Sequence, residues 1–356
     1  MDKIKIAVAG AGFMGRMHCQ YILNHPQAEV VGIFNPTTEK AEAAAKEYSI
    51  SKVYKHQDEL FSSPDIDAVV IASPNKQHVS MAISALSAGK HVLLEKPMAL
   101  NSQEAAEIVE AQKKAGTTLM IAHQMRWYDL TRQIIDLREA GAIGKIYNAK
   151  AAMWRTCSIP GWGSWFTRKE ESGGGPLIDI GVHALDLAFY MMGNPTPVSV
   201  FGSTYAEFGP SKKGIGSWGT PNWDGFFDVE DMATAMIKME DGSTLTLEVS
   251  WAANTDPKNK EAFHIMGNKG GASLYGDTGL YINQEENKTL VTELSLRDNG
   301  DDPRALLIDH FIDCVKTGKQ PISDGLSGLR NMMILDAISE SAKTGDIVRL
   351  DPALLK

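Results

Sequence analysis

A chain of 356 residues with 43% hydrophobic and 22% charged residues is too long for one ordinary core and too apolar for disorder, so two packed domains are expected. Its 44 acidic side chains outnumber its 35 basic ones, which argues against non-specific nucleic-acid binding, and three widely spaced cysteines, Cys19, Cys157 and Cys314, exclude a disulfide framework or a thiolate zinc site. No run approaches the ~18 apolar residues of a membrane span and no apolar signal core precedes the first strand-like run, so a cytoplasmic protein with no membrane or nucleic-acid partner is expected.

Along the first third, apolar β-rich runs alternate with helical stretches, the pattern of βαβ units wound into a parallel sheet. The predicted strands are Ile4 to Ala9, Val30 to Phe34, Ala68 to Ala72, His91 to Leu94 and Thr118 to Ala122. Helices are predicted from Glu39 to Tyr48 and from Asn101, where Glu104 three residues on makes an N-cap arrangement and Gly116 supplies the left-handed stop. Beyond Gly144 the texture changes. Ile146 to Trp154, Thr234 to Met239 and Ser243 to Trp251 carry strand patterning, and Asp241-Gly242 between the last two signals a hairpin. A mostly antiparallel sheet is therefore expected, interrupted by a helix from Leu177 to Met192 and followed by helices at Ala305 to Lys316 and Leu326 to Lys343. The domain boundary falls between Ala122 and Gly144.

Gly10-Ala11-Gly12-Phe13-Met14-Gly15 follows the first strand and leads into a helical run, the context that gives G-x-G-x-x-G its meaning. Gly10 permits the tight turn, Gly12 lets the backbone approach a pyrophosphate and Gly15 lets the helix pack on the strand, while the helix N-terminus offers amide donors. Twenty residues on stands Asn35, where an acidic side chain usually holds the ribose diol; no arginine follows in Asn35-Pro36-Thr37-Thr38-Glu39-Lys40 to clamp a 2′-phosphate. NAD is favoured as cofactor, with NADP the alternative.

Ser73-Pro74-Asn75, with His78 beyond it, and Glu95-Lys96-Pro97 end two of the predicted strands, at the sheet edge where open parallel sheets bind ligands. Gly173-Gly174-Gly175-Pro176 opens the helix that carries Asp179, His183 and Asp186 at i, i+4 and i+7 on one otherwise apolar face. Either His183 is a general acid/base oriented with Asp179, or these side chains cap backbone and sit satisfied in the core; with no third ligand cluster a metal is not expected. The glycine-spaced Trp162 and Trp165, with Trp218 and Trp223 further on, either stack on sugar rings or fill a shallow core beneath loops.

In this order, the N-terminal glycine motif, Ser73-Pro74-Asn75 with His78, Glu95-Lys96-Pro97, Gly141-x-x-Gly144 and the glycine-led Asp179-x-x-x-His183 resemble the Gfo/Idh/MocA oxidoreductases over nearly the whole chain. The resemblance implies an α/β protein: a Rossmann doubly wound parallel sheet in residues 1–124, then an α/β substrate domain in residues 125–356 with a large open, mostly antiparallel sheet whose exposed face forms homodimers or homotetramers. It implies an NAD(P)-dependent dehydrogenase acting on a secondary hydroxyl, or the matching ketone, of a sugar, sugar derivative or cyclic polyol. The alternatives are a glycoside-cleaving enzyme that uses tightly held NAD for transient oxidation, and a non-catalytic nucleotide-binding regulator. By position Lys96, Asp179 and His183 match the catalytic residues. Cofactor contacts are assigned to Gly10, Gly12, Phe13, Met14, Gly15, Asn35, Ser73, Asn75, His78, Glu95, Lys96 and Gln124, and a substrate rim to Arg126, Arg155, Trp165 and Arg168 beside the catalytic residues.

Overall fold

The computed structural model describes residues 3–256, 261–275, 279–285, 289–294 and 300–355. Contacts divide the chain into two compact units, Met1–Gln124 with Asp302–Leu329, and Met125–Asp301 with Arg330–Lys356.

In the first unit the strands β1 (Ile4–Ala9), β2 (Ala28–Phe34), β3 (Val53–Tyr54), β4 (Ala68–Ile71), β5 (His91–Leu94) and β6 (Leu119–Ile121) alternate with helices α1 (Phe13–Leu23), α2 (Thr38–Tyr48), α3 (Gln57–Phe61), α4 (His78–Ser87) and α5 (Ser102–Ala115). All six strands run parallel in the order β3-β2-β1-β4-β5-β6, the arrangement of a Rossmann sheet. Central β4 is buried throughout and β1 at every position but Lys5, because helices cover both faces, which is why these strands are near-continuous Val, Ile and Ala. Register places Ala9 beside Ile71, Ile71 beside Leu94 and Leu94 beside Ile121, so the residues that follow these strands share one carboxyl edge. The start of α5 is capped as its sequence predicts: Asn101 Oδ1 accepts from Glu104 N at 2.9 Å, and Gly116 closes the helix at φ 67°. The short β3 and α3 carry no periodic pattern and were not foreseen.

Residues 302–329, which the sequence assigned to the later domain, group with this first unit. Ile121 N donates to Ser323 O at 2.8 Å and Ser323 Oγ donates to Ile121 O at 2.8 Å, so the segment clasps the edge strand β6. Helix α9 (Pro303–Thr317), capped by Asp302, is tied to α1 by Tyr21 Oη donating to Asp302 Oδ2 at 2.6 Å. These bonds join positions 202 and 281 residues apart, which no local pattern reports.

The second unit begins with α6 (Asp129–Glu139) and β7 (Ile146–Trp154), and continues through α7 (Lys169–Ser172), a wide π turn at Leu177–Gly181, α8 (Val182–Met192), β8 (Pro197–Tyr205), β9 (Met232–Met239), β10 (Thr244–Ser250), β11 (Glu261–Gly267), β12 (Gly270–Tyr275), β13 (Gly279–Glu285) and β14 (Thr289–Leu294). Helix α10 (Gly325–Thr344) and β15 (Val348–Arg349) complete the described elements. Nine strands form one sheet, β14-β13-β12-β11-β7-β10-β9-β8-β15, antiparallel except for the β7/β10 pair. The sequence patterns identified only β7, β9 and β10 of this sheet. One cross-strand row, Val200, Ile237, Leu245, Ala149, Ile265 and Ala272, is buried; the row one residue out of phase, Phe201, Met236, Thr246, Lys150, His264 and Ser273, lies on the open face. The Asp241-Gly242 hairpin forms as predicted, with Asp241 Oδ1 accepting from Ser243 N at 2.8 Å.

Candidate active site

At the end of β1, Gly10 takes φ 123°, and a Cβ there would collide with the Ala72 carbonyl at the end of β4. Gly15, in the first turn of α1, packs so tightly that a Cβ would run into the Gly10 carbonyl oxygen. A Cβ at Gly12 would meet nothing within 4 Å, and Gly12 caps α1 with no side-chain hydrogen bond. The α1 N-terminus therefore opens onto a side-chain-free cradle with exposed amides, which fits the pyrophosphate of NAD. Phe13 and Met14 flank it, Phe13 exposed and Met14 half-buried.

Asn35 also holds the glycine loop in place. Its Oδ1 accepts from Ala11 N at 3.0 Å and its Nδ2 donates to Thr37 O at 3.1 Å, so the carboxamide laces the glycine loop to the turn entering α2. Asn35→Asp keeps the acceptor for Ala11 and adds a negative charge at the end of β2, which should raise the NAD to NADP ratio of kcat/KM by about tenfold. An unchanged ratio in steady-state assays with both nucleotides would show that position 35 does not sense the 2′ position.

Along the same carboxyl edge, Ser73 and Asn75 follow β4, Glu95 and Lys96 follow β5, and Gln124 follows β6. His78, also assigned to the cofactor, is buried between two loops of this edge. Its buried ring sits between two backbone carbonyls, Nδ1 2.7 Å from Pro97 O and Nε2 2.9 Å from Ser73 O, and the neutral ring donates its one N–H to one of them, packed between the loop after β4 and the loop that carries Lys96. Burial pushes its pKa down, against the opposing pull of the two carbonyls.

Glu95, also assigned to the cofactor, is spent inside the fold. Oε1 accepts from His18 Nε2 of α1 at 2.7 Å and Oε2 from Lys96 N at 3.2 Å, so the carboxylate joins the helix behind the phosphate cradle to the backbone of Lys96. Gln124, His18, Glu95 and Met14 line one cleft of this unit. His18 escaped the sequence analysis because its partner is 77 residues away. Burial alone would raise the Glu95 pKa; the His18 hydrogen bond, with the charges of His18, Lys96 and His78, outweighs it and holds the carboxyl below its ordinary 4.5. The stabilisation is therefore present above that value and is lost as pH falls through the lower folded-state value. His18→Ala should shift the acid-unfolding midpoint, followed by circular dichroism, to higher pH; a midpoint identical to wild type would show that the pair does not set acid stability.

In the second unit, Gly175 N and Leu177 N donate to Glu230 Oε1 at 2.9 and 3.0 Å, fixing the glycine approach to the π turn that holds Asp179. Burial raises the Glu230 pKa despite these two amides. Asp179 Oδ2 accepts from Nε1 of the fully buried Trp251 at 3.0 Å. Asp179 and His183 are both half-buried, one on the wide turn and one on the first turn of α8. π turns recur at functional sites because the extra residue re-aims the side chains around it. Neither Glu230 nor Trp251 was legible beforehand.

Asp186, expected on the same stripe, turns inward. It pairs in two contacts with Arg126, Nε to Oδ2 at 2.8 Å and Nη2 to Oδ1 at 2.5 Å, and Asn331 Nδ2 donates to Oδ1 at 3.0 Å. Arg126 is thus a core residue with a side chain 0% exposed, and its assignment to a substrate rim is corrected: the guanidinium is already matched by a carboxylate and lies 4.9 Å over the Tyr190 ring. Arg155, Trp165 and Arg168 are half-buried, Trp165 against Phe166 with ring centroids 3.7 Å apart.

A Rossmann sheet with an open phosphate cradle, joined in sequence to a unit built on a large mixed sheet, defines a dinucleotide-binding oxidoreductase architecture. The family model described as "Oxidoreductase family, NAD-binding Rossmann fold" matches residues 4–123, and the "GFO/IDH/MocA C-terminal domain" model matches residues 131–273. D-glucoside 3-dehydrogenase of Escherichia coli (strain K12) is 33% identical over 98% of this chain and 97% of its own. The scyllo-inositol 2-dehydrogenase (NAD(+)) of Bacillus subtilis (strain 168) is 26% identical over 98% of this chain and 97% of its own. A levoglucosan dehydrogenase structure in complex with NADH and levoglucosan superposes with a TM-score of 0.88 at 23% identity, over 99% of this chain and 100% of that one, and shares its fold. The chain belongs to the Gfo/Idh/MocA family of NAD-binding oxidoreductases.

Proposed function

We propose that this enzyme is an NAD-dependent dehydrogenase for a secondary hydroxyl of a hexose-type sugar or its glycoside, with Lys96, Asp179 and His183 acting on the substrate. The observation that carries it is the end-to-end similarity to a D-glucoside 3-dehydrogenase. Bound NAD, held by the amides around Gly12, supplies the acceptor for the hydride that leaves the carbinol carbon. His183 takes the hydroxyl proton as the C–H bond breaks and the carbonyl forms. The Lys96 ammonium donates a hydrogen bond to that oxygen and stabilises its developing charge, while Asp179, steadied by Trp251, orients the neighbouring hydroxyl. Absorbance at 340 nm with NAD or NADP across free sugars, inositols, sugar phosphates and glycosides tests it: NADH accumulation with one sugar group is the expected result. Turnover without net NADH would instead assign the redox-neutral, glycoside-cleaving chemistry.

The enzyme assembles as a homodimer or homotetramer through the open face of the second unit's sheet. Support comes from its apolar exposure, with Phe201 and Met236 paired across β8 and β9 and both exposed. Met236→Lys should lower the mass measured by light scattering to that of a smaller assembly; an unchanged mass would move the interface elsewhere.

A further inference from the structure

Two loop segments of the second unit, 158–168 and 214–228, are zipped together backbone to backbone. Asn222 N donates to Trp162 O at 2.7 Å, Gly161 N to Trp218 O at 2.9 Å, and Ile159 N to Gly214 O at 2.8 Å. At the crossing, a Cβ on Gly163 would collide with the Asn222 carbonyl and a Cβ on Gly225 with the Gly163 carbonyl, so the approach demands glycine on both sides. What this joint displays is aromatic. Trp218, Trp223 and Phe226 are 54%, 57% and 55% exposed, an unusual cost for side chains of this size on a surface loop.

Their exposure is built rather than incidental. Trp223 stacks on buried Trp162 with centroids 5.8 Å apart, and Trp162 is itself anchored by Nε1 donating to Gly209 O at 2.8 Å. Trp218 stands edge-on to Phe166 at 4.7 Å, and Lys212 Nζ lies 4.5 Å over Trp162. Held this way, the Trp218 and Trp223 rings offer flat faces that lose little side-chain entropy on binding. The intervening Thr220, Asn222 and Asp224, with Ser217 just before them, are exposed hydrogen-bonding groups. Flat apolar faces interleaved with short polar side chains suit a pyranose ring, which has an apolar C–H face and an equatorial rim of hydroxyls.

The same loop is pinned to the segment that leads to Asp179. Phe226 O accepts from Thr167 Oγ1 at 3.2 Å, Asp228 Oδ1 accepts from Lys169 N at 2.7 Å, and Glu230 Oε1 accepts from Gly175 and Leu177. Three alternate residues of one strand of chain, 226, 228 and 230, thus run beside residues 167–177. We propose that Trp218, Trp223 and Phe226 form a stacking subsite for a second sugar ring, the one not oxidised, so that the enzyme's substrates are glycosides of two or more rings rather than free monosaccharides. This rests on the sugar-dehydrogenase function proposed above and adds the ring count and the residues that select it.

The test uses the full-length enzyme and compares a free hexose with the matching β-linked disaccharide, for wild type, Trp218→Ala/Trp223→Ala and Trp218→Phe/Trp223→Phe. Loss of both stacking faces predicts that the Ala pair lowers the disaccharide-to-monosaccharide ratio of kcat/KM by about tenfold or more, mainly through KM, and that the Phe pair restores part of it. A ratio that does not move overturns the subsite. So does a lower assembly mass by light scattering in the Ala pair with an unmoved ratio, which would assign the patch to contact between copies of the chain. If neither sugar yields NADH, the dehydrogenase function fails on its own account. Ligand-detected NMR with the disaccharide then decides the subsite separately: binding lost in the Ala pair supports it, and equal binding or none in wild type overturns it.

Discussion

His183→Ala should lower kcat by about 10²- to 10⁴-fold while changing the NADH dissociation constant by less than about threefold, because proton transfer is removed and the phosphate cradle around Gly12 is untouched. Lys96→Ala should act in the same direction, through lost hydrogen bonding to the reacting oxygen. The supporting shell is already in place for both positions. Lys96 is presented by a loop whose backbone is held by Glu95 and, through Pro97, by His78. His183 follows a π turn whose entry is fixed by Glu230 and whose Asp179 is steadied by Trp251. Stopped-flow turnover combined with NADH fluorescence titration separates the two effects. Near-wild-type kcat in either variant removes that residue from the chemistry, and loss of NADH binding along with kcat would point to damage of the loops instead.

The second large effect concerns stability. Arg126 and Asp186 have side chains 0% and 2% exposed, and removing one partner leaves the other charge in the core. Arg126→Met should therefore destabilise the protein by about 3–5 kcal/mol, read as a fall in the urea midpoint at unchanged slope. Asn331 still donates to Asp186 in that variant, so the lower end of the range is the closer expectation. Arg126→Met/Asp186→Leu should recover much of the loss, since a well-packed apolar pair replaces an ion pair that desolvation had already weakened. A single-variant cost below about 1 kcal/mol would mean that water or another group takes up the abandoned carboxylate.

The site residues divide by how their partners lie along the chain. Gly10, Gly12 and Gly15 were legible because backbone conformation and close approach leave a mark in the residue itself, and their spacing is local. Lys96, Asp179 and His183 were singled out by position at strand ends and on a helix face. Arg126 was misplaced, and the internal partners of His78, Glu95 and Asn35 went unseen, for one shared reason: each is a polar side chain near the expected ligand edge, and only packing reveals what it bonds to across the fold. His78 lies between the carbonyls of Ser73 and Pro97, Glu95 bonds to His18, Asn35 to Ala11 and Thr37, and Arg126 to Asp186. Such partners are separated by as little as 2 and as much as 77 residues, so spacing gives no warning.

By itself the sequence determined the parallel βαβ half, because strands buried on both faces must be largely apolar and their helices amphipathic, and it placed the glycine turn between β1 and α1. It also determined the cap at Asn101 and the hairpin at Asp241-Gly242, both matters of neighbours within four positions. Only the tertiary structure decided that residues 302–329 complete the first unit, through hydrogen bonds to Ile121 and Tyr21, and that the second sheet extends over nine strands with β7 parallel to β10. It alone turned Asp186 inward and Asp179 towards Trp251 on one and the same helical segment. The physical reason is common to these cases: periodicity specifies which face of an element is apolar, while the energy of a buried polar group depends on the partner it meets across the fold.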